Sequence, residues 1–333
     1  MVQGFWRLVA QHGATRIGAV PTSIGAVLEV PLNGADIHTV RAGFTGAASL
    51  PAAVRERFLH VTGHRLHEVY GMTEASGLIA IHPLDDEGGD GSVGWALPYT
   101  QVVVCKLEAS GQLGAPCAAH EIGVITVRGP HFSPGYRNPE HNAGVFDNGV
   151  LNTGDLGYTD DEGHIHIAGR SKDLIIRSGH NIDPLMIENA MAMHPAVALA
   201  AAVGMPDACA GELPVCFVAL RPGASATEDE LRDHAQQTIG ERPAWPKQIH
   251  IVDAIPLTTV GKIYKPQLRC DAAARLVTQV LRSQLGLVDV KVQVSEGGRR
   301  GMQVRVQLPA ADDVSAVQQA LASYLFEAQV SVA

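Results

Sequence analysis

The sequence predicts a mixed fold, α/β followed by α+β: a parallel-sheet subdomain, a small β-subdomain, and then a compact α+β domain. Three observations carry this. Strand, helix and strand signals follow one another between Val40 and Tyr70, the order of a parallel crossover. From about Asp85 the chain changes to short strands separated by Gly and Pro turns. Beyond Ser171, apolar runs alternate with capped helices. The expected divisions are 1–84, 85–169, 170–270 and an appended helix–β–β–helix tail over 271–333.

In the first part, Phe5, Leu8 and Val9 share one helical face between Gly4 and His12. Pro21 with Thr22 and Ser23 marks another helix start. Val40–Phe44 is a strand that runs into the small-residue turn Gly46-Ala47-Ala48. Pro51 opens a helix to Thr62, and Leu66–Tyr70 is the next strand. In sheets of this kind ligands gather beyond the carboxyl ends of the strands. The Gly46–Ala48 and Tyr70–Glu74 turns both fall there.

The stretch from Asp85 to Pro98 is a Gly-rich acidic loop. Asp85, Asp86 and Glu87 read as solvated charge rather than a metal site. Strands are expected at Gln101–Leu107, Gly123–Arg128 and Gly149–Leu151, and two more between Gly154 and Gly169 around the turn Asp160–Gly163. Leu174–Arg177 is a strand. Asp183 and Pro184 supply an N-cap and a first helical residue, and that helix ends near His194. Val197–Gly204 and Pro214–Arg221 read as buried strands. Thr227 and Glu230 form a capping box for a helix to about Ile239, and Lys247–Ile255 alternates as a strand. The tail then predicts a helix over Ala272–Leu285, strands Val288–Ser295 and Met302–Leu308, and a helix from Ala311 to about Phe326.

Composition bounds the function. Hydrophobic residues make up 46% and charged residues 18%, enough for a real core, and the net charge is −9. That balance argues against a nucleic-acid partner, which selects basic faces. No apolar run is long enough to span a bilayer. The first residues lack a secretory pattern. The five cysteines include no C-x-x-C pair and are odd in number, so they are expected as reduced thiols, mostly in the core, of a cytoplasmic protein. The fifteen histidines offer no H-E-x-x-H and no zinc spacing, and read as surface or packing residues. His180, beside Gly179, is the exception.

Five short motifs recur in one order. Tyr70-Gly71-Met72-Thr73-Glu74 follows Gly46-Ala47-Ala48. Thr153-Gly154-Asp155 comes next. Gly169-Arg170-Ser171-Lys172-Asp173 leads into Ser178-Gly179-His180-Asn181-Ile182-Asp183-Pro184 and Glu188. Pro256-Leu257-Thr258-Thr259-Val260-Gly261-Lys262-Ile263 closes the series. Each has a plain alternative: a strand end, a common Gly-Ala-Ala turn, a tight Gly-Asp turn, a charged turn before a capped helix, a solvated lysine. The alternatives explain each piece but not the joint spacing. Together, from Phe5 to Leu268, the motifs resemble the later half of the adenylate-forming enzymes, the superfamily of acyl-CoA synthetases, peptide-synthetase adenylation domains and luciferases.

The resemblance implies a mobile C-terminal domain and a site for ATP or AMP, Mg²⁺ and coenzyme A. Gly46, Ala47 and Ala48 would lie against adenine, where only small side chains let backbone approach a ring. Tyr70 would stack on the base beside Gly71, Thr73 would donate to a phosphate, and Glu74 would hold Mg²⁺. Asp155 would accept both ribose hydroxyls, since a carboxylate can bind a vicinal diol. Arg170 would contact ribose or phosphate. Lys172 would be the hinge. Gly179 would approach the pantetheine arm. Lys262 would bridge the substrate carboxylate and the α-phosphate, where charge spreads over oxygens. Gly135-Tyr136-Arg137-Asn138-Pro139-Glu140 is similar to a structural turn of the family and receives no chemistry.

The family's phosphate loop, a hydroxyl-rich segment ending in Pro-Lys-Gly, is not found in the sequence. The sheet is therefore expected to be truncated, with an N-terminal half missing and the lone chain inactive or poorly soluble. The implied activity is a fatty-acid-type acid–CoA ligase, with a carboxylic acid, ATP and CoA as partners. Two other readings stand beside it: a non-catalytic remnant or partner subunit that binds nucleotide or pantetheine, and an adenylation domain that loads a carrier protein.

Overall fold

The computed structural model describes residues 2–48, 50–84, 91–108, 112–297, 301–309 and 313–332. The acidic run Asp85–Glu87, residues 298–300 and the expected helix start at Ala311 lie outside them. The chain divides into two compact units, one of residues 1–172 with 259–262, the other of 173–258 with 263–333.

The first unit begins with α1 (Phe5–Gln11), β1 (Arg16–Gly18), α2 (Pro21–Leu28), β2 (Ala42–Gly46), α3 (Ala52–Thr62) and β3 (Leu66–Tyr70). β1, β2 and β3 run parallel, as strand–helix–strand order requires. β4 (Ala80–Ile81) and β5 (Trp95–Ala96) extend the sheet antiparallel beyond β3. Neither short strand was legible in sequence. Trp6, Ile17, Ile24, Leu28, Phe58 and Leu66 form the core between helices and sheet. The Trp6 indole N–H donates to the Val30 carbonyl at 3.0 Å, so the ring is buried without an unpaired donor.

A second sheet follows, of β6 (Gln101–Leu107), β7 (Leu113–Pro116), β8 (Gly123–Arg128), β9 (Phe146–Asp147), β10 (Val150–Thr159) and β11 (Ile165–Arg170), in the order β11-β10-β8-β6-β7 with β9 on β10. Here the expectation of separate strands at 149–151 and from 154 is corrected. β10 is continuous through Thr153-Gly154-Asp155, which bulges: Asn152 pairs with Thr126 and Leu156 with Val124, so three residues of β10 face Ile125 alone.

The second unit holds β12 (Ile175–Arg177), β13 (His180–Ile182), α4 (Pro184–Ala192), β14 (Val197–Asp207), β15 (Gly211–Leu220), α5 (Glu228–Thr238) and β16 (Gln248–Ile251). α6 (Lys265–Leu285), β17 (Lys291–Glu296), β18 (Met302–Leu308), α7 (Val314–Leu321) and β19 (Glu327–Val332) complete it. The unbroken apolar run at Val197 reflects burial on both faces of β14. Ala200 and Ala202 face Ile187, Met191 and Leu231, while Ala201 and Val203 face Leu268 and Ala272 of α6. Asp183 accepts from the Leu185 N–H at 2.9 Å, and the Thr227–Glu230 capping box closes in both directions.

Three expectations fail in the tail. α6 starts at Lys265, not Ala272, with Pro266 in its first turn where a missing N–H costs nothing. The expected border at residue 270 therefore falls inside α6. This helix packs Leu268 and Ala272 on one core and Val277 and Leu281 on the next. The last helix ends at Leu321 rather than Phe326, and β19 follows it, parallel to β18. Of the five cysteines, unpaired as expected, only Cys216 is buried.

Candidate functional site

At the carboxyl end of β3 the chain makes a sharp exit. Gly71 is followed by a single 3-10 turn, Thr73–Ala75. Beside it β2 ends at Gly46, paired with Val69 of β3, so the Gly46-Ala47-Ala48 turn leaves the sheet next to Tyr70. Ala47 takes a left-handed φ of 68°, and Ala47 and Ala48 are both exposed.

The β10 bulge aims Asp155 at this corner. Gly154 takes a φ of +70°, which a side chain would resist. The Thr153 hydroxyl, buried, donates to the Ile125 carbonyl at 2.8 Å and accepts from the Asp155 N–H at 3.1 Å. Asn152 accepts from the Gly154 N–H at 2.9 Å, and the Ser171 hydroxyl donates to the Gly154 carbonyl at 3.0 Å. The carboxylate so held has a partner on each oxygen. The Tyr70 hydroxyl donates to Oδ2 at 2.8 Å and Arg170 Nε donates to Oδ1 at 2.9 Å. Asp155 and Arg170 are register partners across β10 and β11.

Tyr70 is 8% exposed, its ring in the apolar cluster with Ile79, Val104 and Ile125. Burial, and then the charge of Asp155, push its hydroxyl well above the ordinary tyrosine range. It thus stays a donor to Asp155, a task that sequence did not suggest. Since a carboxylate offers about four acceptor positions, Asp155 keeps capacity for two further donors.

Glu74 projects from the 3-10 turn, and its Oε1 accepts a short hydrogen bond from the Tyr136 hydroxyl. Sequence reasoning missed Tyr136 because the motif that contains it looked purely structural. One carboxylate on a partly open turn fits Mg²⁺, which takes one or two protein carboxylates and keeps waters and substrate phosphates for the rest. Among the described residues, no group of three or more His, Cys, Asp or Glu could hold a metal by itself.

The turn Thr259–Lys262 belongs to the first unit. The Thr22 hydroxyl donates to the Gly261 carbonyl at 2.6 Å, so the helix-start residues of α2 hold the turn that carries Lys262. Lys172 is exposed in the 3-10 turn Ser171–Asp173, where the first unit ends. Gly179 belongs to the second unit. It lies exposed with Ser178 at the tip between β12 and β13, with φ of 84° and 50°. Glu188 of that unit accepts from the Ala202 N–H at 2.9 Å and pairs with Lys265 at 2.8 Å. His180 is exposed. Among the other histidines, His82 and His164 are buried, and His164 and His166 both meet Asp160.

Glu68 of β3, paired with Thr45 of β2, is largely shielded from solvent, with Arg55 at 3.8 Å. Burial raises its carboxyl to about 7, against the pull of Arg55 and the Leu50 N–H. Between the ordinary value of 4.5 and about 7 the folded chain holds a proton that the unfolded chain has released. Stability therefore falls as pH rises through that window. Glu68→Gln is expected to melt about 5 °C above the unaltered chain at pH 8, from a relief of about 2 kcal/mol, and to match it near pH 5. Melting curves at the two pH values check this; an equal offset at both contradicts it.

Residues 2–137 match the family model of an AMP-binding enzyme, and residues 186–262 that of an AMP-binding enzyme C-terminal domain. A marinolic acid–CoA ligase of Pseudoalteromonas sp. (strain SANK 73390) is 36% identical over 311 residues, 93% of this chain and 48% of that protein. A long-chain-fatty-acid–CoA ligase of Bacillus subtilis (strain 168) is 36% identical over 264 residues, 79% of this chain and 46% of that protein. ATP-bound MatB from Rhodopseudomonas palustris superposes with a TM-score of 0.74 at 33% identity, over 81% of this chain and 52% of that one. The chain spans about half the length of the curated relatives it matches. The first alignment must enter the tail beyond residue 270, so the tail, expected to lie outside the resemblance, is shared at least in part with this relative. No helix among the described residues is long and apolar enough to cross a membrane.

Proposed function

Because the chain belongs to the adenylate-forming superfamily of AMP-binding enzymes, we propose that it is the sugar-gripping and domain-alternating portion of an acid–CoA ligase. The observation that carries this is the hydrogen-bond chain Tyr70–Asp155–Arg170, which presents a fixed carboxylate at the carboxyl end of a parallel sheet. In the parent reaction a carboxylate attacks the α-phosphorus of ATP, expelling pyrophosphate and giving an acyl-adenylate. The thiolate of coenzyme A then attacks the acyl carbon and expels AMP.

In this reading Asp155 takes the two ribose hydroxyls and Arg170 keeps it aimed. Gly46, Ala47 and Ala48 face the base beside Tyr70 and Gly71. Thr73 donates to phosphate oxygen. Glu74 would hold Mg²⁺, which offsets the charge of the polyphosphate. Lys262 neutralises charge on the α-phosphate in the first half-reaction. Lys172, the last residue of the first unit's main stretch, is the pivot between the half-reactions, and Gly179 serves coenzyme A in the second. A fatty acid is the favoured acid. The segment from Arg177 to Pro184 resembles fatty-acid ligases, and several relatives carry that name.

The test splits the half-reactions in this chain fused to the phosphate-loop half of a relative. Lys262→Ala is expected to lower ATP–pyrophosphate exchange about 100-fold or more while sparing thioester formation from supplied acyl-adenylate. Lys172→Pro is expected to do the reverse. Equal loss of both half-reactions in both variants overturns the assignment.

A further inference from the structure

The turn to which the sequence assigns no chemistry, with Ser133 just before it, grips Glu74 at two points. The Ser133 N–H donates to the Glu74 carbonyl at 2.8 Å, and the Tyr136 hydroxyl donates to Oε1 of its side chain. The turn is itself braced. The Tyr136 N–H donates to Asn142 Oδ1 at 2.7 Å, and the Ser133 hydroxyl donates to the Gly135 carbonyl at 2.9 Å. The Tyr136 ring stands edge-on to Phe146, with centroids 5.3 Å apart. Yet Tyr136 is 37% exposed, too open to be core filler. Its hydroxyl is committed to one carboxylate.

From this geometry we infer that Tyr136 is a positioning residue for the metal-facing carboxylate. It fixes Oε1 and leaves Oε2 of Glu74 as the oxygen presented to Mg²⁺. The physical reason is rotational freedom. A glutamate on an open turn samples many rotamers and must give them up when it binds. Mg²⁺ demands near-octahedral geometry and tolerates little misplacement. A tyrosine braced by its own main chain and by Phe146 removes that freedom beforehand. Sixty-two residues separate the partners, so only the fold brings them together.

The inference rests on the metal role proposed for Glu74, and its test keeps the two apart. AMP is titrated into the 333-residue chain without metal, and ATP with and without Mg²⁺, for the unaltered chain and for Tyr136→Phe. The unaltered chain is expected to bind AMP without metal and to bind ATP more tightly with Mg²⁺. Tyr136→Phe should keep AMP affinity within about twofold and lose about fivefold to tenfold of the Mg²⁺ gain, the scale of one charge-assisted hydrogen bond at a partly open site. An unchanged or larger Mg²⁺ gain with AMP binding intact overturns the inference and leaves the nucleotide grip standing. Loss of AMP binding in the variant also overturns it, because Tyr136 would then hold the fold rather than the carboxylate. If the unaltered chain binds no AMP, the proposed function falls and this inference falls with it.

Discussion

Asp155→Ala is expected to raise the Kd of the chain for AMP by about 100-fold or more. In the proposed role two ribose-hydroxyl hydrogen bonds to a carboxylate would be lost, each worth roughly 1.5 kcal/mol or more. The substitution also strands the buried Tyr70 hydroxyl, which now donates to Asp155 at 2.8 Å, and leaves Arg170 without its 2.9 Å partner. Asp155→Asn keeps the shape and one acceptor, so it should bind about tenfold more weakly than the unaltered chain. Calorimetric titration with AMP, beside a melting curve for each variant, separates lost binding from lost folding. A folded Asp155→Ala chain whose Kd moves less than threefold would remove the ribose role.

Gly71→Ala should cost the first unit about 3 kcal/mol, lowering its melting temperature by roughly 10 °C. A Cβ on Gly71 would lie 1.8 Å from the Gly77 carbonyl oxygen, 2.7 Å from its carbon and 2.8 Å from Leu78 Cα. All three are backbone atoms, so no side chain can turn aside and the whole exit from β3 must move. That exit carries Thr73 and Glu74, so AMP and Mg²⁺·ATP binding should weaken with it. Gly77→Ala is the control. Its added Cβ meets nothing within 4 Å, and its φ of 113° costs only backbone strain. Melting curves that rank Gly77→Ala as the more harmful would contradict the packing account.

The local signals were readable because they act within one or two turns of chain. Asp183 and Pro184 start α4, and Thr227 with Glu230 starts α5, through bonds among residues two or three apart. Pro266 was an equally local signal for α6, and passing over it displaced that helix by seven residues. β19 was a different case. Tyr324 and Leu325 continue the helical apolar spacing of α7, and the strand exists because it pairs with β18, more than twenty residues earlier in the chain. A cross-strand partner at that distance leaves no mark on the segment itself.

The site divides the same way. The chain by itself determined which residues the proposed chemistry draws on: the five motifs in their order name Gly46–Ala48, Tyr70–Glu74, Asp155, Arg170, Lys172, Gly179 and Lys262, since residue type and spacing are written in the sequence. Tertiary structure alone decided how they are held. It placed Asp155 in a bulge against Ile125, turned the Tyr70 hydroxyl onto its carboxylate, set Thr22 against the Gly261 turn and brought Tyr136 to Glu74. Hydrogen bonds depend on distance in space, and between residues 62 or 85 positions apart that distance is set by the packing of sheets, which no local pattern encodes.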